Sequence, residues 1–318
     1  MKALTIHHDF NLGLKLYTIP KTFLELIYEK FPNVTLKDIN LETDNNNVEI
    51  YFGNRIDNFG ISKYINLKWI HLGCVGYDSI DIEELISREI IMTNSSGLLT
   101  NSMVEHLINV ITNFSRGTHF IYQLRSKKSL NRKNFDLYFD NITNLKNQKV
   151  LICGYGDVGS KLSKFLELMG MEIYTISRSK SSPYKNFTLD NLKSIISKVK
   201  YIVNLLPLNN ETEYIFNDQI FQKMDKAYFI NVGRGKTVDE TALLQAIDKK
   251  NIIAAALDVF ESEPLNNNSM LLKNQNIYIT PHIAGLDSNY WKRQLDLFTH
   301  NLEYYMLNEY LSLKNKIT

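Results

Sequence analysis

The sequence predicts an α/β protein of two domains, each built on a parallel sheet, with the first domain discontinuous. Three observations carry this expectation. Short β-branched runs alternate with helical patterns along most of the chain. The alternation is interrupted once, by a long amphipathic stretch after Thr100, and then resumes. A length of 318 residues suits two domains better than one.

The elements follow in order. Residues 2–7 (KALTIH) read as a strand, and residues 21–30 (KTFLELIYEK) as a helix with Phe23, Leu24, Ile27 and Tyr28 at helical spacing. Strands follow at 34–39 (VTLKDI), 48–53 (VEIYFG), 67–73 (LKWIHLG) and 89–94 (EIIMTN), with a short helix over 81–87. From Thr100 to about Arg125 the spacing predicts one long helix carrying Met103, Leu107, Val110, Ile111 and Phe114 on one face. Residues 126–148 are polar and read as a surface-packed loop. The second series has strands at 149–154, 171–177, 201–207, 227–233, 254–260 and 276–281, six in all, which is the count of a full dinucleotide-binding domain. Helices are expected over 157–169, 189–198, 217–224 and 239–250. The segment 288–309 reads as a helix with Trp291, Leu295, Phe298, Leu302 and Tyr305 on one face, able to return to the first domain. This sets the expected division: 1–100 plus 288–318 for one domain and 101–287 for the other, both Rossmann-like.

Composition narrows the function. With 36 Lys plus Arg against 34 Asp plus Glu, the net charge is +2, so no basic field exists for a nucleic-acid backbone. Cys74 and Cys153 are too few for a disulfide framework or a structural zinc site. No His/Cys/Asp/Glu cluster has metal-ligand spacing, so no metal is expected. His7, His8 and Asp9 break any apolar leader, and no apolar run approaches the ~20 residues that span a bilayer. The expectation is a cytoplasmic protein without membrane or nucleic-acid partners.

Gly154-Tyr155-Gly156-Asp157-Val158-Gly159 fits G-x-G-x-x-G directly after an apolar strand and at the start of a helix. Gly154 permits the tight turn, Gly156 the approach of a pyrophosphate, and Gly159 close helix–strand contact. A strand-tip acid for a ribose 2′-hydroxyl is missing; the tip reads Ser177-Arg178-Ser179. An Arg flanked by hydroxyls suits a 2′-phosphate, so NADP(H) is favoured over NAD(H).

Three polar residues stand at successive later strand ends: Arg234, Glu263 and His282. Ligands of open α/β sheets bind outside the carboxyl ends of strands. An Arg fork can hold a carboxylate, a His can exchange a proton near neutral pH, and a Glu beside it favours the imidazolium. Taken singly, Arg234 also reads as a loop ion pair, Glu263 as a cap and His282 as a buried, satisfied histidine. Trp291 reads either as a pocket wall or as a core anchor, while His71 and His106 read as structural.

With these residues in view, the chain resembles the D-isomer-specific 2-hydroxyacid dehydrogenases. The resemblance covers nearly the whole chain, through HLGCVGYDSIDI (71–82), 94–106, the glycine motif, NLLPLNNET (204–212), NVGRG (231–235), LDVFESEP (257–264) and TPHIAG (280–285). It implies that Arg234 binds the 2-oxo acid, that His282 is the acid of reduction and base of oxidation, and that Glu263 pairs with His282. It implies that Gly73, Cys74, Val75 and Gly76 cradle the carboxylate by backbone N–H groups. It further implies that Asp258 meets the nicotinamide carboxamide, that Asp157 and Val158 contact the pyrophosphate, and that Leu206, Pro207, Asn231, Val232, Gly233 and Ala284 contribute to the cofactor site. It implies a homodimer, with 126–148 part of its arm. Met103-Val104-Glu105 departs from the family's Val-Ala-Glu, and Ser177 from its strand-tip acid; the second departure resembles the NADP-dependent glyoxylate/hydroxypyruvate reductase branch. Reduction of a small 2-oxo acid to the D-2-hydroxy acid is therefore expected. An NAD-linked D-lactate-type or phosphoglycerate dehydrogenase is one alternative, and a dinucleotide-sensing binding protein or corepressor another.

Overall fold

The structure, a computed structural model, describes residues 3–10, 15, 18–41, 44–126, 128–178 and 182–318, without the side chains of 122, 123, 126 and 137. The chain divides into two compact units, Met1–Leu99 with Leu286–Thr318, and Thr100–Gly285.

The first unit holds a five-stranded sheet of β1 (Leu4–His8), β2 (Val34–Asp38), β3 (Val48–Gly53), β4 (Trp69–Leu72) and β5 (Ile91–Thr93) in the order β2-β1-β3-β4-β5. Every paired strand is parallel, so both faces must be covered. The period of two shows on β4: Trp69 enters one core with Ile6, Phe23 and Phe298, and Ile70 enters the other with Tyr51, Ile61 and Leu85. The helices Lys21–Lys30 and Tyr290–Met306 supply the first of these cores. Trp291 packs edge-on to Phe10 and Phe23 rather than standing apart from the core.

The second unit is a seven-stranded parallel sheet, β12-β11-β10-β9-β6-β7-β8, formed by β6 (Lys149–Cys153), β7 (Glu172–Ile176), β8 (Lys185–Phe187), β9 (Tyr201–Asn204), β10 (Ala227–Asn231), β11 (Ile252–Leu257) and β12 (Ile277–Ile279). Consecutive residues of β6 again feed opposite cores. Val150 and Ile152 pack with Leu107, Ile111 and Leu162, while Leu151 and Cys153 pack with Leu243 and Ile247. Burying each such side chain contributes about 1.5–3 kcal/mol.

Four expectations need correction. The sheet has seven strands, not six; β8 is three residues long and not fully buried, so it leaves no apolar signature. The long helix is two, Thr100–Ser115 and Thr118–Ser126, broken where Gly117 takes φ +64°. The loop 126–148 contains a short helix, Arg132–Phe135, capped by Asn131, and a 3-10 turn, Asp136–Asn141, whose Tyr138 stacks on Phe120. The 189–198 helix is a single α-turn, Leu192–Ile195, between two 3-10 turns. A short helix at Asn58–Ser62 was not signalled by apolar spacing.

Candidate active site

The carboxyl ends of β10, β11 and β12 carry the three polar residues singled out above. After β10 the chain turns through Val232 and Gly233. The buried Asn231 braces that turn: its Oδ1 accepts from Gly233 N at 3.1 Å and from Asn204 Nδ2 at 3.0 Å, and its Nδ2 donates to Arg234 O at 3.2 Å. Thr237 Oγ1 donates to the same carbonyl at 2.6 Å. Arg234 is thus held by its backbone, with its half-buried side chain donating from Nη1 to Gly233 O at 2.8 Å.

Asp258 follows β11 directly and is buried. Its carboxylate accepts from Thr280 Oγ1 at 2.6 Å, Ile283 N at 2.8 Å and Ala284 N at 2.9 Å, while its carbonyl accepts from His282 N at 2.8 Å. This clamp closes the turn after β12 around His282, which sits at φ +55°, a conformation that costs a non-glycine residue about 1–2 kcal/mol. A carboxylate offers about four acceptor positions, so Asp258 keeps capacity for one more donor. His282 Nδ1 lies 2.7 Å from Glu263 Oε2, and Glu263 Oε1 accepts from Phe260 N at 3.1 Å. A carboxylate only accepts, so Nδ1 is the donor and Nε2 is left to exchange a proton. Sequence reasoning named Asp258 but passed over its clamp, for which a buried acid directly after an apolar strand was the available signal. His106, read from the sequence as structural, is lowered from its usual pKa by burial, against the opposing charge of Asp258.

The glycine turn fits a dinucleotide. Gly154 takes φ +104°, and a Cβ there would come within 2.9 Å of Leu205 O. At Gly156, by contrast, a Cβ would meet no protein atom within 4 Å, so a backbone without side chain faces open space at the start of the helix Asp157–Leu168. That helix has no side-chain cap, which leaves its first amides to an anion. Tyr155 and Val158 are half-buried, Asp157 is exposed, and Gly159 is buried against β6. Leu206 lies in the core with its amide on Asn204 Oδ1, Pro207 is exposed, and Val232, Gly233 and Ala284 are buried. At the tip of β7, the hydroxyl of Ser177 donates to Asn186 Oδ1 at 3.1 Å, so recognition of a further phosphate falls chiefly to Arg178, which is exposed and pairs with no described residue. Ser179 lies outside the described residues.

In the first unit, the loop Gly73–Gly76 after β4 has all four carbonyls engaged. They accept from Tyr290 Oη at 2.8 Å, Ser95 N at 3.0 Å, Asn94 Nδ2 at 2.9 Å and Cys74 Sγ at 3.3 Å, in chain order. The amides of Val75 and Gly76 have no acceptor among the described residues. Two successive backbone amides without an acceptor are donors that an anion can use. His71 and Trp69 are structural: both ring nitrogens reach the Thr93 hydroxyl, at 2.7 and 2.9 Å, and burial pushes His71 down to about 3.

Among the described residues no group of three His, Cys, Asp or Glu side chains gathers as metal ligands, and no helix is long and apolar enough to cross a membrane. Neither cysteine forms a disulfide.

A profile of the D-isomer specific 2-hydroxyacid dehydrogenase NAD binding domain matches residues 108–284. A glyoxylate reductase of Thermofilum pendens is 32% identical over 246 residues, covering 74% of this chain and 71% of its own length. A glyoxylate/hydroxypyruvate reductase B of Klebsiella pneumoniae is 28% identical over 281 residues, 84% of this chain and 86% of its own. Among solved structures, a Thermus thermophilus protein superposes with TM-score 0.83 at 21% identity, covering 99% of this chain and 100% of its own. An NADPH-dependent glyoxylate/hydroxypyruvate reductase of Sinorhizobium meliloti, in complex with NADP and sulfate, superposes with TM-score 0.80 at 23% identity, covering 99% and 98%.

Proposed function

The chain belongs to the D-isomer-specific 2-hydroxyacid dehydrogenase family, and on that premise we propose that it reduces a small 2-oxo acid of the glyoxylate or hydroxypyruvate kind to the D-2-hydroxy acid, with NADP(H) as cofactor. The observation that carries this reading is the Glu263–His282 pair at 2.7 Å, which commits Nδ1 to Glu263 and leaves Nε2 as a proton donor at a nucleotide-binding strand end.

Each residue has a task. Arg234 binds the 2-oxo acid through its fork. His282 donates a proton to the oxygen that becomes the hydroxyl, and Glu263 orients the ring by accepting from Nδ1. Asp258 holds the His282 turn closed and has acceptor capacity left for the nicotinamide carboxamide. Gly154, Gly156 and the first turn of Asp157–Leu168 would hold the pyrophosphate of the dinucleotide, which when bound supplies the hydride. Arg178 would meet the 2′-phosphate. The Gly73–Gly76 loop, which resembles the family's substrate loop, would take the substrate carboxylate; the Val75 and Gly76 amides, without an acceptor among the described residues, support this. Relatives named glyoxylate reductase and glyoxylate/hydroxypyruvate reductase, and neighbours whose structures contain NADP, support the substrate class and the cofactor. A cytoplasmic homodimer formed by the Thr100–Gly285 unit completes the reading; the exposed apolar side chains Leu130 and Phe139 of the segment after Gly117 support the dimer, and a monomeric sedimentation coefficient would remove it.

The test is oxidation of NADPH, then NADH, across a panel of small 2-oxo acids. Turnover of glyoxylate or hydroxypyruvate with preference for NADPH is expected. A protein that binds NADPH yet turns over none of the panel is not this enzyme.

A further inference from the structure

We infer that Asn94 and Tyr290 are positioning residues that keep the Gly73–Gly76 loop in its amide-outward form and so set the affinity for the substrate carboxylate. This rests on the reading above that the loop takes that carboxylate.

A peptide unit carries its N–H and its C=O on opposite sides, so a flip of one plane exchanges donor for acceptor on the face presented to a ligand. Such flips are cheapest beside glycine, and this loop begins and ends with one. An outward carbonyl would repel a carboxylate where an outward amide binds it. The loop therefore needs a hold on its carbonyls, and besides Cys74 Sγ within the loop itself, two side chains from outside it provide one. Tyr290 Oη donates to Gly73 O at 2.8 Å. Asn94 Nδ2 donates to Val75 O at 2.9 Å, fixing the very peptide plane whose other side is the Gly76 amide.

The donors are themselves held. Gly73 packs so closely that a Cβ there would come within 2.5 Å of Phe10 Cζ and 2.7 Å of Tyr290 Oη. Asn94 is buried, and its Oδ1 accepts from Ser96 N at 3.1 Å, which fixes the orientation of the amide group. Its backbone is gripped from both sides by Asn315. Asn94 N donates to Asn315 O at 3.1 Å, and Asn315 Nδ2 donates to Asn94 O at 3.1 Å and Ser96 O at 2.8 Å. Asn315 holds this position at φ +56°, within the segment that bridges β5 through Lys316 and Thr93. A residue far along the chain thereby acts on the loop through Asn94.

The test compares Tyr290→Phe, Asn94→Ala and Asn315→Gly with the parent protein. The first removes one hydroxyl and keeps the ring; the last keeps a residue at ease at positive φ and removes both hydrogen bonds made by Nδ2. The KM for the 2-oxo acid and the inhibition constant of oxamate, a carboxylate that is not reduced, should rise together by roughly threefold to tenfold for each variant. The kcat should change less than KM, and the KM for NADPH should stay at the parent value. Parent-like KM and oxamate inhibition in folded variants would overturn the inference while leaving the proposed reaction standing, as would a fall in kcat with cofactor affinity lost alongside. If Asn94→Ala does not fold, Tyr290→Phe decides alone. Absence of turnover by the parent protein with every 2-oxo acid would overturn both.

Discussion

At the scale of single residues, the chemistry of the site was legible wherever it depends on residue type. An Arg, a Glu and a His at successive strand ends are visible as letters, and so is a strand tip, Ser177-Arg178, with an Arg and no acid. His282→Gln removes the exchangeable proton and should lower kcat/KM by ~10²- to 10⁴-fold with little effect on NADPH binding; steady-state kinetics with glyoxylate checks this, and near-parental turnover would exclude His282 as the acid. Arg178→Asp should raise the KM for NADPH by roughly tenfold to a hundredfold, the worth of hydrogen bonds to a charged group, and leave that for NADH almost unchanged. Equal losses for both cofactors would show that Arg178 acts on structure rather than on the 2′-phosphate. What the letters did not reveal is how these residues are held. Asp258 spends its carboxylate on Thr280, Ile283 and Ala284, and two of those three donors are backbone amides, which every residue type except proline carries.

At the scale of elements, periodicity located the strands that are buried on both faces and failed where an element is short or where geometry changes without a change in pattern. β6 and β10 are four or five consecutive buried residues and could hardly be missed. β8 pairs with β7 through Lys185, Asn186 and Phe187, and its pairing, not its composition, makes it a strand. The apolar spacing from Thr100 onward continues across Gly117, so only the backbone angle reveals the break. That break carries a prediction. Gly117→Ala places a Cβ at φ +64° and 3.0 Å from Ile142 Cγ1, so it should destabilise by about 1–2 kcal/mol. In a unit of this size that lowers the thermal midpoint by roughly 2–8 °C, as calorimetry would show; an unchanged midpoint would mean that the chain passes 117 by another route.

At the scale of the whole molecule, the near-balance of 36 cationic against 34 anionic side chains leaves little net self-repulsion at neutral pH, so acid stability depends on particular groups. Both units contain a histidine that folding buries. Burial pushes His71 down to about 3 and His119 down to about 4, from a usual 6.5; His8 and His106 are lowered for the same reason. In each case the unfolded chain binds the proton more readily than the folded one. Stability from these groups is therefore complete above about pH 6.5 and is lost as pH falls toward the folded values. At pH 5 the penalty is about 2 kcal/mol for His71 and a similar amount for His119, from about 1.4 kcal/mol per pH unit. Glu240, raised by burial beside Glu261, works in the opposite sense and offsets part of this. Urea unfolding at pH 7.5 and pH 5 should accordingly show a marked loss at the lower pH. His119→Phe should reduce that loss, since the ring already packs edge-on to Phe114 and Tyr228 and tilted against Phe120, and its Nε2 finds no partner among the described residues. An acid loss of the same size in His119→Phe would show that other groups govern the acid limb.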